Sequence, residues 1–168
     1  RVDDPALPLV TATAALDCRL TLESFVPTGD GTAVAYQTVE DAAPAAVAER
    51  LRRSDRLDEV RVVSGDGTAG TLELRVRDSP LTCIVEQGAT IRSLVVEEGV
   101  ATLTVEAAPG TDSYALLATL EADYPETTLL AKRAVDRSVG ASTGTREASA
   151  AALTDRQWEA LRLAHQGG

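Results

Sequence analysis

The chain has 168 residues, 44% of them hydrophobic, 25% charged and 3% aromatic, with a formal net charge of −10. Such a length makes one medium domain, or one domain with an appended fragment, and buries enough surface to fold without staples. A body this acidic lacks the basic footprint that a phosphate backbone requires, which argues against direct nucleic-acid binding by the bulk of the chain.

With no Met and few aromatics, the core must be built from Val, Leu, Ile and Ala. Every basic residue except Lys132 is Arg. An acid excess almost without Lys suits a salt-rich cytoplasm, where screening removes self-repulsion; a GC-rich genome that favours Arg and Ala codons is the other reading. No apolar run approaches the roughly 18 residues of a membrane helix and no signal peptide is visible, so a cytoplasmic protein with no membrane contact is expected. The chain opens on Arg1, which reads as a piece excised from a longer protein.

Residues 1–8, RVDDPALP, read as a polar linker. From Val10 to Leu22 the even positions are Val, Ala, Ala, Leu, Cys, Leu and Leu, an alternation that predicts a long strand. After Phe25 and Val26, PTGDG predicts a turn, and Thr32 to Val39 the returning strand. Pro44 to Arg53 predicts a helix: Pro44 suits its first turn, and Val47 and Leu51 share a face. Val60 to Val63 reads as a strand, SGDGTAG as a turn, and Thr71 to Arg77 as a strand with Leu72, Leu74 and Val76 inward. Leu81 to Glu86 reads as another short strand. Ala89 to Glu97 and Val100 to Glu106 predict a hairpin across Glu98-Gly99. Asp112 caps a second helix along Tyr114, Leu117, Leu120 or Glu121, and Tyr124, which Pro125 stops. Thr127 to Val135 reads as the last strand.

The order hairpin, helix, strand recurs over residues 10–63 and 90–135. That predicts an α+β fold: a mostly antiparallel sheet with two helices on one face, in ferredoxin-like or ACT-like halves, plus a C-terminal helix. The expected domain is residues 9–137. Residues 138–152, rich in Ser, Gly, Thr and Ala, read as a flexible linker.

Residues 153–168, LTDRQWEALRLAHQGG, carry the strongest local signals. Thr154 stands at an N-cap with Gln157 three residues on, a capping-box spacing, and Leu153 and Trp158 have the spacing of a hydrophobic staple. Asp155 and Glu159 favour the positive end of a helix dipole. Trp158, Leu161, Ala164 and His165 form one stripe, and Gly167-Gly168 ends the helix.

The pattern LTDRQ-x-EALR-x-A-x-x-x-G resembles the opening of the helix-turn-helix in archaeal bacterioopsin-activator (Bat-type) regulators. Residues 8–137 more loosely resemble the domain that precedes that unit. In the family an aromatic pair, the turn and the recognition helix follow the position of Gly168, and a polar residue and a tyrosine stand where this chain has Trp158 and His165. The resemblance implies a non-catalytic regulatory or interaction domain of a haloarchaeal transcriptional regulator. It would relay signal or dimerisation to a DNA-binding unit of which Leu153, Thr154, Gln157, Trp158 and Leu161 form only the start. The implied partners are DNA through the segment after Gly168, a second copy of the chain, and upstream sensory domains of PAS or GAF type. The alternative is an ACT-like module that senses a small metabolite.

No enzymatic chemistry, cofactor or metal is expected. Gly65-Asp66-Gly67-Thr68-Ala69-Gly70 matches G-x-G-x-x-G, but TLELRVRD after it alternates as a strand. The helix N-terminus that would hold a phosphate is missing, and a hairpin turn is expected. His165 is the lone histidine and belongs to the terminal helix. Asp30, Asp66, Asp112 and Glu98 stand at turns or caps, where carboxylates bond backbone. Arg50, Arg52, Arg53 and Arg56 form the densest basic run, broken by Asp55, Asp58 and Glu59, and read as a solvated face. Cys18 and Cys83 make no disulfide framework and read as small buried hydrophobes rather than redox sensors.

Overall fold

A computed structural model describes residues 1–108 and 110–132. The first helix, α1, covers Pro8–Leu16, where alternation predicted a strand. The even-position reading overlooked the i, i+3, i+4, i+7 set of Leu9, Ala12, Thr13 and Leu16, all buried or half-buried, while Ala14 and Ala15 face solvent. Alanine tolerates either face and favours helix, and Pro8 presets the first turn. Asp17, in the left-handed region at φ 48°, closes the helix.

The rest is β1 (Arg19–Pro27), β2 (Thr32–Glu40), α2 (Pro44–Leu51), β3 (Leu57–Asp66), β4 (Ala69–Arg77), α3 (Pro80–Glu86), β5 (Ala89–Glu97), β6 (Val100–Ala107) and α4 (Ser113–Asp123). The α3 segment also read as a strand. Its helix starts at Ser79, whose side chain accepts from the Leu81 N–H, with Pro80 in the first turn and Leu81 and Ile84 buried. That cap outweighs the strand propensity of Ile and Val. No strand forms at Thr127: it makes a single bridge to Val2, and Leu129 and Leu130 that follow are exposed. Residues 133–135 of that predicted strand lie outside the described residues.

The six strands form one sheet in the order β3-β4-β2-β1-β5-β6, with every neighbouring pair antiparallel. The fold is α+β as expected, with four helices among the described residues because α1 and α3 join α2 and α4. The predicted C-terminal helix lies outside those residues. The register puts Leu20 opposite both Val39 and Val96, and Leu74 opposite Ala35. These side chains form one core with Val10 and Ala12 of α1, Val47 and Leu51 of α2, Ile84 of α3 and Leu116 of α4. Each fully buried leucine or valine contributes about 1.5–3 kcal/mol of transfer free energy.

The opposite face is polar and half-exposed. Ser64, Thr71, Thr38 and Thr21 lie in one register row across four strands. In the next row Tyr36 donates from its hydroxyl to Glu73 Oε2 (2.6 Å), and Arg61 donates to Glu73 Oε1 (2.5 Å). These bonds, Tyr36 first, hold the Glu73 carboxyl below its usual range.

Local closures fasten the helices. Thr13, buried in α1, accepts from the Gly99 N–H (3.2 Å) in the β5–β6 turn. A Cβ on Gly70 would lie 2.3 Å from the Ser64 carbonyl oxygen, and one on Gly65 2.5 Å from that of Ala69, with Pro44 of α2 resting on both glycines. At the end of α4, buried Tyr124 donates from its hydroxyl to the Asp78 carbonyl (2.9 Å). The lead-in is also tied: Val2 exchanges backbone hydrogen bonds with Ala101 at 2.8 and 2.7 Å.

Candidate functional site

The β1–β5 seam differs from every other seam of the sheet. Backbone pairing holds only where Arg19–Thr21 meets Val95–Glu97. Just past that point each strand carries an irregularity in the ladder to its other neighbour, between Leu22 and Ser24 on β1 and between Ile91 and Ser93 on β5. A bulge adds one residue, bends the strand and ends regular pairing. Two bulges at the same level turn the strands apart and leave a cleft of about 260 Å³ inside the sheet.

The cleft has two distinct levels. Leu22, Phe25, Ala89 and Ile91 line it from the core side of the strands, and Val85 of α3 adds an apolar wall. The extra residues of the bulges are Glu23 and Arg92, both lining the cleft. Glu23 Oε1 accepts from the Thr38 hydroxyl (2.7 Å) on the polar face. Arg92 donates to Glu106 Oε2 from Nε (2.5 Å) and pairs with it through Nη2 as well. One bank thus carries a carboxylate and the other a guanidinium, each steadied by the strand behind it. Ser24, Thr90 and Ser93 add hydroxyls. One strand further in, buried Gln37 pairs in register with Leu22, and its Oε1 has no hydrogen-bond partner among the described residues. An arrangement of this kind can bind and orient a small polar molecule; it holds no nucleophile paired with a base.

Sequence reasoning missed Glu23 and Arg92. Their signal was two adjacent polar residues, Glu23-Ser24 and Arg92-Ser93, each interrupting an otherwise alternating strand.

The other candidates fall as follows. The Gly65–Gly70 stretch is a hairpin tip between β3 and β4, and its glycines serve close approach. Asp30 accepts from the Thr32 and Thr28 hydroxyls and the Thr32 N–H, which hold its carboxyl well below the ordinary range, the Thr32 hydroxyl most of all. Asp112 accepts from the Tyr114 and Ala115 N–H groups at the start of α4. Glu98 stands with Gly99 in the β5–β6 turn, both at positive φ. Asp66 ends β3 at the hairpin tip.

In the basic run, Arg52 donates from Nε and Nη2 to the Val60 carbonyl (3.1 and 2.9 Å), clamping α2 to β3. Arg53 pairs with Glu49 at 3.4 Å. Arg50, Arg53, Thr11 and Ser54 line a shallow cleft of about 220 Å³. Cys18 is buried and Cys83 half-buried, both as free thiols; burial pushes the Cys18 thiol up. Among the described residues no group of His, Cys, Asp and Glu is placed to hold a metal, and no helix is long and apolar enough to cross a membrane. His165 and the start of the expected DNA-binding unit, Leu153, Thr154, Gln157, Trp158 and Leu161, lie outside the described residues, as does the expected linker 138–152.

No solved structure matches the chain. A Haloferax volcanii protein described as "Putative transcriptional regulator" is 31% identical to it over 161 residues, covering 95% of this chain and 28% of that protein. The chain thus spans little more than a quarter of that relative's length. A family model described as "BAT: GAF and HTH_10 associated domain" matches residues 1–147, which takes in every described element. On that match the chain belongs to the BAT family of GAF and HTH_10 associated domains.

Proposed function

We propose that this chain is a non-catalytic regulatory and interaction domain of a haloarchaeal transcriptional regulator. It relays signal, or its own dimerisation, from upstream sensory domains of PAS or GAF type to a C-terminal helix-turn-helix. The supporting observation is the BAT match over residues 1–147 together with the likeness to the Haloferax protein. The charge agrees: a net −10 leaves the domain without a footprint for phosphate backbones, so contact with DNA falls to the unit that begins near Leu153. In a dimeric helix-turn-helix protein the body sets the distance between the two reading units, which gives a dimerising domain control over binding.

The test is electrophoretic mobility of a promoter fragment with two proteins, the 168-residue chain and one extended past Gly168. The short chain should leave the fragment unshifted and the longer one should retard it. Tight retardation by the short chain would refute the division of labour. Sedimentation of the short chain tests the dimer, which a purely monomeric species across the accessible concentrations would rule out.

A further inference from the structure

We propose that the cleft where β1 and β5 part binds one free α-amino acid with an apolar side chain, making this domain itself a receptor for a metabolite. The inference goes beyond the relay reading and does not depend on DNA contact.

Three features select that class. First, the volume, about 260 Å³, lies just below the range of drug-sized pockets, about 300–1,000 Å³, and is too small for an extended peptide running along both strands. Second, the charges have opposite signs on opposite banks. Glu23 keeps its second carboxylate oxygen available after accepting from Thr38, and suits an ammonium. Arg92 already holds Glu106 through Nε and Nη2, which leaves the Nη1 end of its guanidinium to meet a ligand carboxylate. Third, Leu22, Phe25 and Ile91 lie on the core side, where the side chain of such a ligand would settle between the strands. Backbone N–H and C=O groups freed by the bulges add hydrogen-bonding capacity for a ligand with a donor and an acceptor on one carbon.

Pairing across the seam is the physical consequence. A zwitterion bridging Glu23 and Arg92 would draw together two strands that are held by three residues each, and so stiffen the junction between the two parts of the sheet.

The experiment is isothermal titration of the 168-residue chain with L-leucine, L-isoleucine, L-valine and L-phenylalanine, in low salt and in molar KCl. At least one should bind saturably at one site. For that ligand, the analogue lacking the carboxylate charge (the amide) and the analogue lacking the ammonium (the des-amino acid) should each bind roughly tenfold or more weakly. Arg92→Gln should lose the preference for acid over amide, and Glu23→Gln the preference for amine over des-amino acid. A merely structural role would weaken all ligands alike. The proposal is overturned if none of the four amino acids binds, if the ligand and its two analogues bind alike, or if both variants keep wild-type selectivity. Should either variant fail to fold, the selectivity of the unaltered chain decides alone.

Discussion

The sheet's two parts are held in different ways. From β3 to β1 the ladders run nearly the full length of the strands: β2 pairs with β4 from Thr32 to Glu40 without a break. Between β1 and β5 only a short stretch is joined, and the β5–β6 hairpin is fastened instead through side chains, by Leu20 against Val96 and by Thr13 against the Gly99 turn. Continuous backbone pairing makes one block cooperative. A seam held mainly by packing lets the second block open at lower cost, the usual property of regions that accept ligands.

That contrast can be broken at its centre. Leu20 is fully buried and faces both blocks; Leu20→Ala should cost about 3 kcal/mol, read as a loss of stability in urea unfolding. It should also separate the two transitions, with near-coincident melting of both blocks as the result that contradicts a weak seam. A smaller effect is expected at Asp112, which caps α4, the helix that follows β6 in the chain. Asp112→Ala should cost about 1 kcal/mol. Hydrogen exchange should then quicken in α4 and leave β2 and β4 unchanged; faster exchange throughout would mean the blocks are not separable.

The smallest effect is expected from acid. Glu73 sits in the continuous block, its carboxyl held below its ordinary value of 4.5 by Tyr36 and then Arg61. A depressed carboxyl stabilises the fold above its ordinary value, and that contribution fades as pH falls below it. Glu73→Gln should therefore flatten the acid side of a plot of melting temperature against pH by slightly lowering its neutral end, while leaving the acid end, where the carboxyl is already protonated, little changed. An unaltered acid limb would remove the network from the account.

Much of the block with continuous pairing was legible in the sequence. β2 alternates cleanly, α2 has Pro44 and the Val47–Leu51 face, and β4 alternates Leu72, Leu74 and Val76. The β5–β6 hairpin was equally clear from Glu98-Gly99, and α4 from Asp112. α1 was misread because alanines satisfy a strand period and a helix period equally. α3 was misread because its β-branched residues obscured the Ser79-Pro80 start. The cleft was beyond reach for a different reason. Each bulge could be suspected from Glu23-Ser24 or Arg92-Ser93, but their meeting across one seam depends on β1 lying beside β5, a neighbour some seventy residues away in the sequence. The Bat-type resemblance was read chiefly from Leu153 to Leu161, which lie outside both the described residues and the matched span 1–147 that shows the membership.

β3 forms an outer border of the sheet, and its outward backbone groups are a template on which strands from other molecules can stack. Its register slips between Leu57 and Glu59 and again between Val62 and Ser64, and Asp58, Glu59 and Arg61 place charge along it. A border so crooked and so charged resists fibril-like growth even though Val63 is half uncovered. Straightening it, by deleting a bulged residue and replacing Glu59 with a valine, would be expected to turn a dispersed protein into one that accumulates thioflavin-binding aggregates.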